Sequence, residues 1–146
     1  MLFHCLDIYE SGLFTNNGIL LTRALAAGFL TGKLVNNQHE GTRFSEDNPL
    51  SKAIQRVFGS EELHQALRKF DAEVKAQGLS SLEVSIRWAA HHSALGDEDA
   101  IILGASKEAQ LQETVSLIRK GPLPSLILGL VDELWVTVRE TRANVL

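Results

Sequence analysis

Asp99-Ala100-Ile101-Ile102-Leu103-Gly104-Ala105-Ser106-Lys107 is the stretch from which the rest of the chain can be read. Ala100 to Leu103 is an apolar run too short for a helix and suited to a strand buried on both faces. Gly104 stops it, and the polar residues beyond open a helix predicted from about Lys107 to Arg119. A bend between a buried strand and a helix start gathers unpaired backbone N–H groups at the positive end of the helix dipole, which favours an anion. Ser106 can donate a hydroxyl hydrogen bond there, and Lys107 brings a flexible positive charge. Gln110, about one turn on, adds an amide on the same face. A plainer reading fits the same residues, in which Ser106 only caps the helix, and both stay open at this point.

Upstream, Ile19 to Thr22 is a second apolar, partly β-branched run after the turn residues Asn16-Asn17-Gly18, and it too predicts a buried strand. It leads into Leu25-Ala-Ala-Gly-Phe-Leu-Thr-Gly-Lys33, where Gly28 and Gly32 remove side chains at places where backbone could approach a bound group. Glycines that merely turn or pack would look the same. From Asn36 to Ser60 the chain is polar and broken by Gly41, Pro49 and Gly59, which predicts a long surface excursion with one helical turn at Ser51 to Val57.

Ser60 then starts a helix whose apolar positions Leu63, Leu67, Phe70 and Val74 keep helical spacing up to Gly78. Ser80-Ser81 caps another, in which Leu82, Val84, Ile86, Trp88 and Ala89 surround a largely buried axis until about Ser93. Gly121-Pro-Leu-Pro124 ends the helix after Lys107, and Ser125 opens a last one packed through Ile127, Leu130, Val131, Leu134 and Val138. Parallel strands need crossovers of this size, so the order predicts consecutive units of a helix-rich α/β fold, either a barrel or an open sheet. Residues 1–18 are poorly specified: Leu2 to Tyr9 could form a short helix, but Ser11-Gly12 breaks it. The division is therefore an N-terminal segment, 1–18, and a unit from 19 to 146.

A chain of 146 residues with 45% hydrophobic content can bury the core of one compact domain. The net charge of -4 is mild and the 14 Lys and Arg residues are scattered, which argues against nucleic acid as a partner. No apolar run is long enough for a membrane span, and the start lacks the pattern of a secretion signal, so the cytosol is the expected location. Cys5, the single cysteine, has no partner for an internal disulfide. His91-His92 would diverge on a helix and have no further ligand at a useful spacing, so packing and capping are expected of them rather than metal. Arg87 is expected beside a carboxylate or a helix carboxyl end, and Trp88 and Trp135 in packed faces.

Four segments in order, Leu25 to Lys33, Gly41-Thr-Arg-Phe44, Ile86-Arg-Trp88 with His92-Ser-Ala-Leu95, and Asp99 to Ser106, resemble the aldo-keto reductases. The likeness is to the branch of aflatoxin-aldehyde reductases and their fungal relatives, and Gly121-Pro-Leu123 and Asp132-Glu-Leu-Trp135 continue it. The resemblance implies a partial (β/α)8 TIM barrel: the last two β/α units plus C-terminal helices, with Ile19 to Thr22 as the seventh strand and Ala100 to Leu103 as the eighth. It implies NADP(H) at the carboxyl ends of those strands. Leu25, Ala27, Gly28, Leu30, Thr31, Gly32 and Lys33 would lie along its pyrophosphate, with Arg43 also associated with the cofactor. Gly104, Ser106, Lys107 and Gln110 would hold the adenosine 2'-phosphate, with Glu113 and Thr114 at the margin.

Departures accompany the likeness. Thr22, Arg23 and Ala24 stand where the family has an aromatic, a small polar residue and proline, and Thr114 stands for the usual Asn. The family's catalytic Tyr, Lys, Asp and His belong to earlier strands, and Tyr9, the single tyrosine, lies in a segment unlike that motif. The implied function is NADPH-dependent reduction of an aldehyde or ketone, suggested for secondary-metabolite biosynthesis, with this chain supplying one end of the cofactor site. A complementing chain or a second copy would then be needed. The alternative is a catalytically inactive remnant or partner-binding protein.

Overall fold

The computed structural model describes residues 12–15, 18–21, 24–38, 40, 45, 48–49 and 51–143. The expected helix at Leu2 to Tyr9 lies outside them, as do Cys5, Thr22, Arg23 and Arg43. Three strands, β1 (Gly12–Thr15), β2 (Gly18–Leu21) and β3 (Ala100–Ile101), form one sheet in the order β1-β2-β3. β2 and β3 run parallel, with Leu20 opposite Ala100 and Leu21 opposite Ile101. Between them the chain makes a 3-10 helix (Ala26–Thr31) and three α-helices: α1 (Ser51–Phe58), α2 (Glu61–Ala76) and α3 (Ser81–His91). α4 (Glu108–Ile118) and α5 (Ser125–Ala143) follow β3.

Part of the segment expected to be poorly specified is ordered as a hairpin. β1 pairs antiparallel with β2 from Gly12↔Leu21 to Thr15↔Gly18, leaving Asn16 and Asn17 between the strands. Two polar residues followed by glycine suit so short a connection. An antiparallel neighbour departs from the all-parallel pattern of a (β/α)8 barrel.

The helices begin where their caps predict. Ser60 Oγ accepts from the Leu63 N–H at the start of α2, and Ser80 Oγ from the Glu83 N–H at the start of α3. Each satisfies a first-turn donor that burial would otherwise strand. α2 packs on α5, and Leu63, Leu67, Phe70, Val74, Ile127 and Val131 belong to one core cluster. Val84 and Trp88 of α3 join that cluster, whereas Ile86 and Ala89 face a second one with Leu21, Ala24 and Leu117. α3 is therefore walled on both sides, which accounts for its apolar residues on more than one face.

A buried polar knot and a pair of histidine contacts brace these helices. Arg87 Nη1 donates to Glu83 Oε1 (2.8 Å), while its Nε and Nη2 donate to the carbonyls of Gly121 and Pro122 (2.8 and 2.7 Å). Lys120 Nζ completes the knot on Glu83 Oε2 at 2.9 Å. Arg87 thus lies beside both a carboxylate and the carbonyls beyond the end of α4, as its position suggested. His92 Nε2 accepts the Leu123 N–H (2.8 Å) and His91 Nε2 donates to the Ile118 carbonyl (2.8 Å), so both histidines serve packing between α3 and the α4–α5 connection. No group of residues able to hold a metal occurs among the described residues.

The second expected strand differs most from its prediction. Hydrogen-bonded strand covers only Ala100–Ile101, Ala100 is exposed and Ile102 is 44% exposed, rather than all four residues being buried on both faces. The reason is pairing. β3 contacts β2 along one edge, with Ile102 N–H donating to the Leu21 carbonyl (2.8 Å), and it is the last strand of the sheet. An apolar run at a sheet margin keeps its composition without its cover.

Candidate functional site

Parallel pairing of β2 and β3 sends the chain out of both strands at the same end, and adjacent strands sit about 4.8 Å apart. The bend after β2 (24–37) and the bend after β3 (102–107) therefore start side by side.

The first bend is a folded object. Phe29 and Leu30 are almost fully buried (1% and 2% exposed), Leu34 and Val35 are buried beside them, and the Phe29 ring stacks on Phe58 with centroids 4.9 Å apart. The Leu30 side chain consequently belongs to the core. Gly28 (φ 99°) and Gly32 (φ 75°) occupy the left-handed region that side chains disfavour. Gly28 N–H donates to the Leu25 carbonyl (2.9 Å) and Gly32 N–H to that of Phe29 (3.1 Å). Thr31 Oγ1 turns back to donate to the Gly28 carbonyl (2.7 Å). Leu25 is half-buried, and Lys33 is exposed at the end. Ala27 falls within the 3-10 helix.

Behind the bend lies a contact that the sequence reading missed. Asn36 Nδ2 donates both to the Gly32 carbonyl (2.8 Å) and to Asp71 Oδ2 (3.3 Å). Asp71 is buried on α2 and also accepts from Lys75 Nζ (2.6 Å) and Ser81 Oγ (2.7 Å). Burial works to raise the Asp71 pKa, but the hydrogen bonds from Lys75, Ser81 and Asn36 outweigh it and hold the carboxyl below its ordinary range. A signal was available: Asp71 sits four residues after Leu67 and three before Val74, on the apolar face of its helix.

The second bend is open. Gly104, Ala105, Ser106 and Lys107 are all exposed, and a Cβ added at Gly104 would meet nothing within 4 Å. Lys107, not Ser106, is the N-cap of α4, and its side chain makes no capping hydrogen bond. Ser106 stands one residue earlier, where both its N–H and its Oγ donate to Gln110 Oε1 at 3.1 Å. Glu113 is exposed, and the Thr114 hydroxyl donates to the Gln110 carbonyl one turn back (2.8 Å). A helix start with a lysine at its cap, a serine hydroxyl beside it and open space around is chemically suited to an anion such as a phosphate. Arg43 and the residues at 22 and 23 lie outside the described part of this end of the sheet.

The chain is 29% identical to an aldo-keto reductase of Pseudocercospora fijiensis across 97% of its own length, which is 47% of that protein. It is 28% identical to human aflatoxin B1 aldehyde reductase member 2 across 98% of its length, 41% of that protein. An aldo-keto reductase of Monascus ruber matches at 26% identity over 79% of this chain and 36% of its own. The chain thus spans less than half the length of these relatives. The aldo/keto reductase family profile matches residues 4–136, nearly the whole sequence, and the chain belongs to the aldo/keto reductase family of oxidoreductases.

Proposed function

We propose that residues 19–146 form the carboxyl-terminal part of a (β/α)8 reductase barrel and hold the phosphate and adenosine end of NADP(H). The observation that carries this reading is the parallel β2–β3 pair, which brings two glycine-bearing bends to one end of the sheet. Both bends offer features a dinucleotide needs. The first exposes Lys33 beside Gly28 and Gly32 for a pyrophosphate; the second presents Ser106, Lys107, Gly104 and Gln110 at a helix start for a 2'-phosphate, with Thr114 one turn on. Arg43, from the excursion after the first bend, is assigned to the same cofactor by its likeness to the family.

When bound, NADPH supplies the hydride for reduction of a carbonyl. The residues of this chain would bind and orient it. The substrate class proposed is an aldehyde or ketone, since the human relative is by name an aldehyde reductase. A small fungal metabolite is the narrower proposal, drawn from the fungal relatives. Cytoplasmic location is likewise a proposal; no described helix is long and apolar enough to cross a membrane. Reduction would require a Tyr-centred catalytic set from a different chain or from sequence beyond this one.

The test is a titration with NADPH, followed through Trp88, packed in the core, and Trp135. Saturable quenching of their fluorescence is expected. No change at the highest soluble concentration sinks the cofactor site. A second reading, a non-catalytic partner-binding protein, is favoured by the antiparallel β1 hairpin and by the exposed Ile102 and Leu111 (44% and 41%). Turnover of an aldehyde by the purified chain would overturn that second reading.

A further inference from the structure

The described surface and interior contain three features that the proposed function does not use: the Glu83–Arg87–Lys120 knot, the exposed apolar residues near β3, and the Asp71 cluster behind the first bend. The first joins helices far along the chain from either bend, and the second lacks any sign of what would cover it. The third touches a candidate binding segment directly.

We infer that Asp71 and Asn36 are positioning residues that hold the bend after β2 in the shape that receives a ligand's pyrophosphate, without touching the ligand themselves. The inference rests on the cofactor reading above and deepens it. Asn36 Nδ2 reaches the carbonyl of Gly32, the residue whose left-handed backbone ends the 3-10 helix, and joins it to a carboxylate on α2. The Asn36 N–H closes the same turn on the Gly32 carbonyl at 3.1 Å. Space is tight. A Cβ at Gly32 would meet Asn36 Nδ2 at 3.3 Å and Asp71 Oδ1 at 3.4 Å on a backbone, φ 75°, that side chains rarely adopt, so a larger residue here would strain the bend and press on the clasp.

Asp71 is suited to anchor the clasp because its two oxygens are already fixed. Ser81 at the start of α3 holds Oδ1, and Lys75, one turn on in α2, holds Oδ2. A carboxylate accepts on both oxygens, whereas an amide in its place accepts on one and donates from the other position. Because α2 and α3 are packed into the core, the position of the carboxylate is set by the fold, and the carboxylate in turn fixes Asn36 and Gly32. Preorganisation of this kind raises affinity by removing the cost of ordering the bend when the ligand arrives.

Asn36→Ala cuts the clasp at an exposed residue and leaves Asp71, Lys75 and Ser81 in place. NADPH should then bind about tenfold more weakly, from one lost ordering contact. Adenosine 2'-monophosphate, which reaches only the bend after β3, should bind the variant within about twofold of wild type by the same reasoning. Asp71→Asn should reproduce the NADPH loss where it folds; Asn36→Ala keeps the inference testable where it does not. Unchanged NADPH affinity in Asn36→Ala overturns the inference alone, as does an equal loss for both probes, which marks general damage to the fold. A wild-type chain that binds neither probe overturns the cofactor reading itself, and this inference with it.

Discussion

The bend after β2 and the bend after β3 carry similar residues, glycine followed by an exposed lysine, but are built in different ways. Phe29, Leu30, Leu34 and Val35 sew the first into the main core, and Asp71 braces it through Asn36. The second stands in solvent, tied by two hydrogen bonds to the side chain of Gln110. Fixing one residue's backbone costs roughly 1–2 kcal/mol, so on the cofactor reading proposed above the core would bear that cost for the first bend, while the second has only its local hydrogen bonds to offset it. Identical residue types thus have different energetic roles according to what lies behind them.

The difference can be broken most severely at Phe29. Phe29→Ala removes the stack on Phe58 and opens the core beneath the bend, which should cost about 3–5 kcal/mol, read as a shift in the urea midpoint. An undiminished midpoint would mean the bend is not part of the core.

Acid should act first on the α4–α5 connection and later on the first bend. His92 is held below its ordinary pKa by burial first, then by His91 and Arg87, and as a neutral ring it accepts the Leu123 N–H. Its lowered native pKa contributes stability that is full above the ordinary value of 6.5 and is lost as pH falls through the native value. Asp71 is also lowered, so its share is full above 3.8 and is lost only at more acidic pH. Melting temperature should fall first through the α4–α5 connection and later through the first bend, and His92→Gln should remove the earlier step. Survival of that step in the variant would assign it to another group.

The smallest effect is expected at the second bend. Gln110→Ala frees both Ser106 donors but lies on the surface, so stability should move by less than about 0.5 kcal/mol while the Ser106 amide exchanges faster with solvent. A larger loss would show that this bend is also braced.

What could be read beforehand was whatever local chemistry decides. Ser60 and Ser80 announced two helix starts, and the spacing of Leu63, Leu67, Phe70 and Val74 announced the buried face of α2. Arg87, with three donor directions on one buried side chain, announced its acceptors. Cover and partnership were not legible, because they depend on residues distant in the chain. Ala100 to Leu103 has the composition of a central strand, but its burial is set by the number of neighbours, and among the described residues β3 has one. Ser106 had the chemistry of a cap, but the register of α4 put Lys107 there. The Asn36–Asp71 contact spans 35 positions: the apolar face of α2 marks Asp71 as buried, but nothing local names Asn36 as its partner.

α3 is a hub with no free side. Since Val84 and Trp88 serve one apolar cluster and Ile86 and Ala89 the other, loosening either cluster strips a wall from this helix. Heat should therefore take both clusters apart in a single concerted melt, with near-UV and far-UV circular dichroism falling together.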